Sequence, residues 1–275
     1  MPAIRRLSVF AAGPVVGVAF ALAVCAPASA LPAPGDFADV PSRTSLSFQH
    51  SPTGVHVGTA NENTARPGLS TVKMYMADYA LRHGDGSQSD RDLAERMIRS
   101  SDDGAASQLD AKYPQAIGAI SSEFGLSATS RGGFWGSSYT STADTVRFLE
   151  SKKQTDPASP VLQWMNSATP IATDGTVQNW GTGVLAGATG TKWGWADDGS
   201  SVVASASIGD QFSVAANTYG SASTQTADVL GALGGADLTP PPLTAPPVFV
   251  PPVVALPVLP PLPTVDDLLR IIAPR

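Results

Sequence analysis

Proline is concentrated at the C-terminal end of the chain, and this limits where a fold can form. Residues 240–275 contain 12 of the 24 prolines in the 275-residue sequence. Proline has no amide hydrogen to donate and fixes its own backbone angle, so such a segment favours extended polyproline II over a helix or a central strand. We therefore expect residues 238–275 to be a largely disordered tail, which either spans a cell wall or contacts a protein or surface partner.

The N-terminal end has the pattern of a signal peptide. Arg5-Arg6 supplies a positive start, an apolar stretch covers residues 9–24, and Ala28-Ser29-Ala30 offers the small residues of a cleavage site. This predicts a signal peptide over residues 1–30 and a protein that is secreted or associated with the cell envelope. An uncleaved membrane anchor and lipidation at Cys25 are the alternatives.

Composition excludes several classes of function. The net charge is −6 and no basic run occurs in the core, so a nucleic-acid partner is not expected. The single cysteine excludes a disulfide framework or a cysteine-rich metal site, and the three scattered histidines (His50, His56 and His83) do not indicate a metal centre or a Ser-His-Asp triad. We expect neither a metal nor a cofactor.

The remaining residues predict one α+β domain over residues 44–237, preceded by a linker over residues 31–43. Alternation of apolar and polar residues predicts strands, and apolar spacing of three to four predicts helices. The predicted strands cover 44–50, 54–60, 190–195, 201–208 and 211–219, and the predicted helices begin near residues 72 and 89 or cover 103–109, 114–124, 140–150 and 223–233. This order places a helical block inside an antiparallel sheet that combines both ends of the domain, with helices packed on its faces.

One short motif carries chemistry. In Ser70-Thr71-Val72-Lys73 the serine opens a helix and the lysine follows one turn later on the same face. A serine hydroxyl needs a neighbouring base to become a nucleophile, and an amine with a lowered pKa can serve as that base. Chance alone gives roughly half a Ser-x-x-Lys match in a chain of this composition, so the motif needs support from other segments.

Two later segments supply that support. Ser101-Asp102-Asp103 lies at a helix junction, and Lys192-Trp193-Gly194 lies on a predicted strand. The order Ser-x-x-Lys, Ser-Asp-x, Lys-x-Gly, between these strands and helices, resembles the penicillin-recognising serine hydrolases: the serine β-lactamases, closest to class A, and the DD-peptidases. The resemblance covers about residues 44–235 and implies a β-lactamase/transpeptidase-like fold.

The resemblance also implies roles for individual residues. Ser70 would form an acyl-enzyme, with Lys73 as its general base and Ser101 relaying a proton to the leaving nitrogen. Lys192 would supply positive charge for the substrate carboxylate, and the backbone N–H groups of Ser70 and Trp195 would form the oxyanion hole. The matching substrates are β-lactams or peptides derived from peptidoglycan.

The sequence departs from the family pattern at three points. Asp103 stands where the family has asparagine, and we expect it to pair with Lys73 and raise the pKa of that base. Trp193 replaces a threonine, and we expect its ring to narrow the substrate cleft beside Gly194. The resemblance implies that Asp103, Trp193 and Gly194 bind the substrate. No Glu-x-x-Leu-Asn segment occurs between Ser101 and Lys192, so the base that activates water for deacylation is missing.

These features predict an exported serine hydrolase that acylates at Ser70 and deacylates slowly. The first alternative is a catalytically impaired binding or structural protein of the cell envelope that keeps the fold. The second is an esterase or amidase for another substrate, with Trp135, Trp193 and Trp195 lining an apolar pocket.

Overall fold

A five-stranded antiparallel sheet joins the two ends of the domain. A computed structural model describes residues 31–32, 36–236 and 238; the predicted signal peptide and, apart from Leu238, the predicted tail lie outside these residues. The sheet consists of β1 (Thr44–His50), β2 (His56–Gly58), β5 (Ala188–Trp195), β6 (Val203–Gly209) and β7 (Phe212–Thr218) in the order β2-β1-β7-β6-β5, and a separate short pair consists of β3 (Arg66–Pro67) and β4 (Tyr139–Thr140). Because β1 pairs with β7, the predicted sheet that combines both ends is confirmed.

The helical block lies between β3 and β5 in the sequence. The α-helices are α1 (Lys73–His83), α2 (Gln88–Arg99), α3 (Asp103–Lys112), α4 (Ala116–Phe124), α5 (Thr142–Thr155) and α6 (Pro160–Asn166), followed after the sheet by α7 (Ala222–Leu233). Side chains of Ser87, Asp102, Ser141 and Ser221 accept a hydrogen bond from a backbone N–H in the first turn of α2, α3, α5 and α7. These caps satisfy amide groups that the helix itself leaves without partners. Helix α2 is therefore capped by Ser87, two residues before the predicted start at Ser89.

Two hydrophobic clusters cover the two faces of the sheet. Ala215 of β7 packs into the cluster formed by α1 to α6, whereas its neighbours Val214 and Ala216 pack into the cluster that includes Val229 and Leu233 of α7. This division follows from the alternation of side chains along a strand. Phe37, from the segment predicted as a linker, and Leu238, from the start of the predicted tail, pack into the second cluster.

Helix α1 lies at the centre of the domain. Met74, Tyr75, Met76 and Ala77 are all fully or almost fully buried, so every side of the helix contacts protein. A helix buried on all sides cannot shift without disturbing several neighbours, and this fixes the position of its first residue, Lys73. Among the described residues, no helix is both long and apolar enough to cross a membrane.

Candidate active site

Ser70 occupies a tight turn at the start of α1. Residues Leu69–Val72 form a 3₁₀ helix that leads directly into α1, and Leu69 adopts a left-handed backbone angle, φ 50°. Ser70 is 8% exposed and lines a cleft, yet its hydroxyl forms no hydrogen bond with any described residue. Because Ser70 Oγ is not among the buried polar atoms that lack a partner, this unpaired hydroxyl is open to the cleft and available to a ligand.

Lys73 does not bond to Ser70. Its fully buried Nζ donates to the backbone oxygen of Ser101 at 2.8 Å and to Oδ1 of Asp103 at 2.5 Å, and lies 4.6 Å from the ring centre of Trp135. Burial lowers the pKa of Lys73, and the attraction of Asp103 opposes that shift without cancelling it. The predicted pairing with Asp103 is therefore present and acts to raise the pKa of Lys73, but desolvation is the larger effect and the net pKa is lowered.

Ser101 links the two lysines. Its Oγ accepts a hydrogen bond from Nζ of Lys192 at 2.8 Å and lies 3.5 Å from Nζ of Lys73. Lys192 is completely buried, and burial together with the positive charge of Lys73 lowers its pKa well below the usual 10.5. The structure thus brings Lys73, Ser101 and Lys192 into one connected group, with a path for proton exchange through the Ser101 hydroxyl.

Gly194 allows β5 to lie directly against the Ser70 turn. A Cβ atom at this position would come within 2.6 Å of the Ser70 backbone nitrogen and 2.8 Å of the Leu69 Cβ, closer than such atoms can approach. The next residue, Trp195, lines the same cleft as Ser70. The two residues predicted to form the oxyanion hole, Ser70 and Trp195, therefore lie at adjoining edges of the cleft.

Trp193 faces away from the cleft. Its ring is 7% exposed, packs with Trp180 and Val203, and donates from Nε1 to the backbone oxygen of Trp180 at 2.8 Å. Successive side chains on a strand point to opposite sides, so the inward position of Lys192 places Trp193 on the other side. The prediction that Trp193 binds substrate or narrows the cleft is therefore wrong, whereas Asp103, whose side chain is 69% exposed, does line the cleft.

The cleft has a volume of about 440 Å³ and aromatic walls. Its lining includes Phe134, Trp135 and Trp195. Asp110 fixes the Phe134–Trp135 wall, because it forms a two-point ion pair with Arg131, at 2.9 and 2.8 Å, and accepts the backbone N–H of Trp135. The ring of Trp135 covers Lys73 from this side, so the wall and the ammonium group hold each other in position.

Asp174 contacts the site but was not among the predicted site residues. Its carboxylate accepts the indole N–H of Trp195 at 3.0 Å, and its charge opposes the lowering of the pKa of both Lys73 and Lys192. Asp174 lies on the segment between α6 and β5. The N–H of the preceding residue, Thr173, donates to the backbone oxygen of Ser100, and this holds the segment next to Ser101. A single aspartate in a Thr-Asp-Gly turn has no signal in the sequence that would indicate this position.

The two glutamates between Ser101 and Lys192 lie outside the cleft. Glu123 pairs with Arg82, and Glu150 accepts hydrogen bonds from Ser51 and Ser213. Among the described residues lining the cleft, the carboxylates are those of Asp103 and Asp197. Asp103 is bonded to Lys73, and the ring of Trp135 covers that lysine.

Solved structures of penicillin-recognising proteins share this architecture. An ancestral class A β-lactamase is similar with a TM-score of 0.52 at 16% identity, over 69% of this chain and 91% of that one. Penicillin-binding protein D2 from Listeria monocytogenes, bound to cefotaxime, gives 0.52 at 18% identity, over 70% and 95%. A class A β-lactamase from Mycobacterium abscessus gives 0.53 at 14% identity, over 70% and 92%. No family model matches the sequence, and neither does any curated protein. The predicted β-lactamase/transpeptidase-like fold is confirmed.

Proposed function

We propose that this chain is an exported serine hydrolase that acylates at Ser70 with β-lactams or cell-wall peptides and releases the acyl group slowly. The observation that carries the proposal is the unpaired Ser70 hydroxyl, which lines a cleft beside the connected group of Lys73, Ser101 and Lys192. The fold, shared with β-lactamases and penicillin-binding proteins, supports the same chemistry.

In the first step, Ser70 Oγ attacks the carbonyl carbon of the lactam or peptide. The new bond joins Oγ to that carbon, and the carbon–nitrogen bond of the substrate breaks. For the hydroxyl proton to pass to Lys73 in its neutral form, Nζ must exchange its bond to Asp103 for one to Ser70 Oγ; the proton then reaches the leaving nitrogen through Ser101. The burial that lowers the pKa of both lysines favours this neutral form. The backbone N–H groups of Ser70 and Trp195 stabilise the negative oxygen of the intermediate.

Slow release follows from the groups that face the cleft. Hydrolysis of the acyl-enzyme needs a base that activates water. Of the two carboxylates that line the cleft, Asp103 is already bonded to Lys73, and Asp197 is exposed to solvent with no hydrogen bond that would hold it beside Ser70. The ring of Trp135 covers Lys73 on the side of the 130–138 segment. A β-lactam keeps its leaving nitrogen attached after ring opening, so its acyl-enzyme persists for longer than that of a peptide.

Intact-mass measurement after incubation with benzylpenicillin tests the proposal. We expect one adduct with the full mass of the drug, because ring opening loses no atoms. The adduct should be absent in Ser70→Ala and retained in Ser107→Ala, a control serine that lines the same cleft. Absence of the adduct in the folded parent protein, or its persistence in Ser70→Ala, would contradict the proposal.

The hydrogen bonding of Lys73 favours a second candidate, a binding protein of the cell envelope that has lost the chemistry. In that protein the ion pair with Asp103 would keep Lys73 permanently away from Ser70. Such a protein would bind cell-wall peptides reversibly and form no covalent adduct. The same mass measurement separates the two candidates, with reversible binding to Ser70→Ala and to the parent protein at equal affinity supporting the second.

A further inference from the structure

The walls of the active-site cleft carry negative charge and aromatic rings, without a cationic side chain among the described lining residues. Asp103 and Asp197 line the cleft together with Phe134, Trp135 and Trp195. Asp197 is exposed and forms no hydrogen bond with the described residues. A lining of this kind attracts positive charge and repels carboxylates.

The cations nearest to the reaction centre are not presented to the cleft. Lys73 and Lys192 have no exposed surface, and the ammonium group of Lys192 is directed at Ser101 Oγ and the backbone oxygen of Trp193. Burial also lowers the pKa of Lys192 well below its usual value, which reduces its positive charge. Asp174, bonded to the indole of Trp195, adds a further negative charge behind that wall.

The two arginines next to the site, Arg96 and Arg131, are paired with carboxylates. Arg96 donates from Nε and Nη2 to one oxygen of Asp102, at 3.0 and 2.5 Å, and Arg131 forms a two-point ion pair with both oxygens of Asp110. Each guanidinium group is therefore matched by a carboxylate, and neither provides a free charge for a substrate carboxylate.

Aromatic faces add a second attraction for cations. The electron-rich face of an indole or phenyl ring attracts an ammonium group, and this attraction is stronger where water is partly excluded. Lys73 already occupies such a position over Trp135 at 4.6 Å. Phe134, 55% exposed, and the partly exposed Trp195 present further rings around the unpaired Ser70 hydroxyl, so a ligand that reacts with Ser70 is surrounded by rings and carboxylates.

We propose that the cleft selects acyl donors that carry a free ammonium group in the acyl part and disfavours those with an added carboxylate there. This inference rests on the acylation of Ser70 proposed above and specifies its substrate. Among β-lactams and cell-wall peptides, the preferred substrates have an amine close to the scissile carbonyl.

Three penicillins that differ at one substituent test the inference. On the same benzylic carbon, ampicillin carries an amine, benzylpenicillin a hydrogen and carbenicillin a carboxylate. The measurement is made at about pH 6, where the amine is protonated to an ammonium group. From the strength of cation–ring and exposed ionic contacts, we expect acylation rates, measured by intact mass, to fall about tenfold from ampicillin to benzylpenicillin and again to carbenicillin.

Two aspartate variants localise the effect. Asp197→Asn should reduce the ampicillin-to-carbenicillin ratio about threefold or more, as should a rise in salt to about 0.5 M, because exposed charges are screened. Asp210→Asn is the matched control, because Asp210 lies far from the cleft. It directly follows Gly209 of β6, and Gly209 pairs with Ala188, at the opposite end of β5 from Trp195. Its ratio should equal that of the parent protein.

Binding to Ser70→Ala separates this inference from the proposed acylation. Tryptophan fluorescence gives the affinity of the three penicillins for this variant, which cannot be acylated at Ser70. Tighter binding of ampicillin than of carbenicillin supports the inference even if the parent protein forms no adduct. Equal or reversed preference, in acylation or in this binding measurement, would overturn it.

Discussion

The ion pair between Asp103 and Lys73 should slow acylation, and the substitution Asp103→Asn tests this directly. The two charged atoms lie 2.5 Å apart, a distance at which unit charges attract by about 1.7 kcal/mol in water and about 6.6 kcal/mol at an effective dielectric constant of 20. Because the Asp103 side chain is 69% exposed, solvent screening brings the interaction toward the lower figure, about 1.5 to 3 kcal/mol.

Removing this attraction lowers the pKa of Lys73 further, because Asp103 is the main group that opposes the effect of burial. The neutral fraction of the amine then rises at neutral pH, although the amine becomes a weaker base. We expect Asp103→Asn to be acylated by a fluorescent penicillin about tenfold faster than the parent protein. Asparagine keeps an oxygen acceptor for the ammonium group, so the melting temperature should change by no more than about 4 °C.

Asp102→Asn is the matched control for this experiment. Asp102 caps α3 and pairs with Arg96, and it also raises the pKa of Lys73 slightly without bonding to it. Asparagine caps a helix as well as aspartate does, so the acylation rate should change less than about threefold. The reasoning fails if Asp103→Asn folds normally and reacts at the parental rate or more slowly.

Three further outcomes follow from the structure. Gly194→Ala should abolish acylation and lower the free energy of unfolding by about 1 to 3 kcal/mol, because a Cβ there meets the Ser70 backbone. Gly118→Ala is the control: this position in α4 has open space around it, so urea unfolding should show a stability about 0.5 to 1 kcal/mol higher. The pKa of Lys192 is lowered in the folded protein, so the parent takes up a proton at this lysine when it unfolds and loses stability as the pH falls below about 10. Lys192→Met lacks this proton uptake, so its stability relative to the parent should increase as the pH falls; a pH-independent difference would contradict this. Mass spectrometry of protein exported by an expressing cell should show a chain lacking residues 1–30, and an intact N-terminus would refute the signal-peptide prediction.

The order of motifs and strands was predictable because both depend on local pattern. Alternation along β1, β6 and β7 indicated the sheet, and the three lysine- and serine-containing motifs fell at helix starts and on a strand. The wrong prediction for Trp193 was avoidable from the same pattern. Once Lys192 is placed toward the site, its neighbour on the strand must face the other side.

Other features depend on contacts between distant segments and carry no local signal. Whether Lys73 bonds to Ser70 or to Asp103 is decided by a few ångströms between two helix starts. The position of Asp174 beside Trp195 depends on how the long segment after α6 packs against Ser100. Helix α6 was not predicted, because its seven residues give no apolar stripe long enough to distinguish it from a loop.

The distribution of unfavourable features supports a functional site at Ser70 independently of any motif. Among the described residues, the non-glycine residues with positive φ are Leu69 and Ser101, at 50° and 54°, and each such conformation costs about 1 to 3 kcal/mol. Leu69 precedes Ser70, whose hydroxyl is unpaired, and Ser101 bonds to Lys192 and lies beside Lys73, two buried lysines whose desolvation is a further cost. A chain that served only to pack a core would gain stability by relieving any one of these features. Their concentration around one hydroxyl is expected if the arrangement stabilises a bound reactant rather than the fold itself.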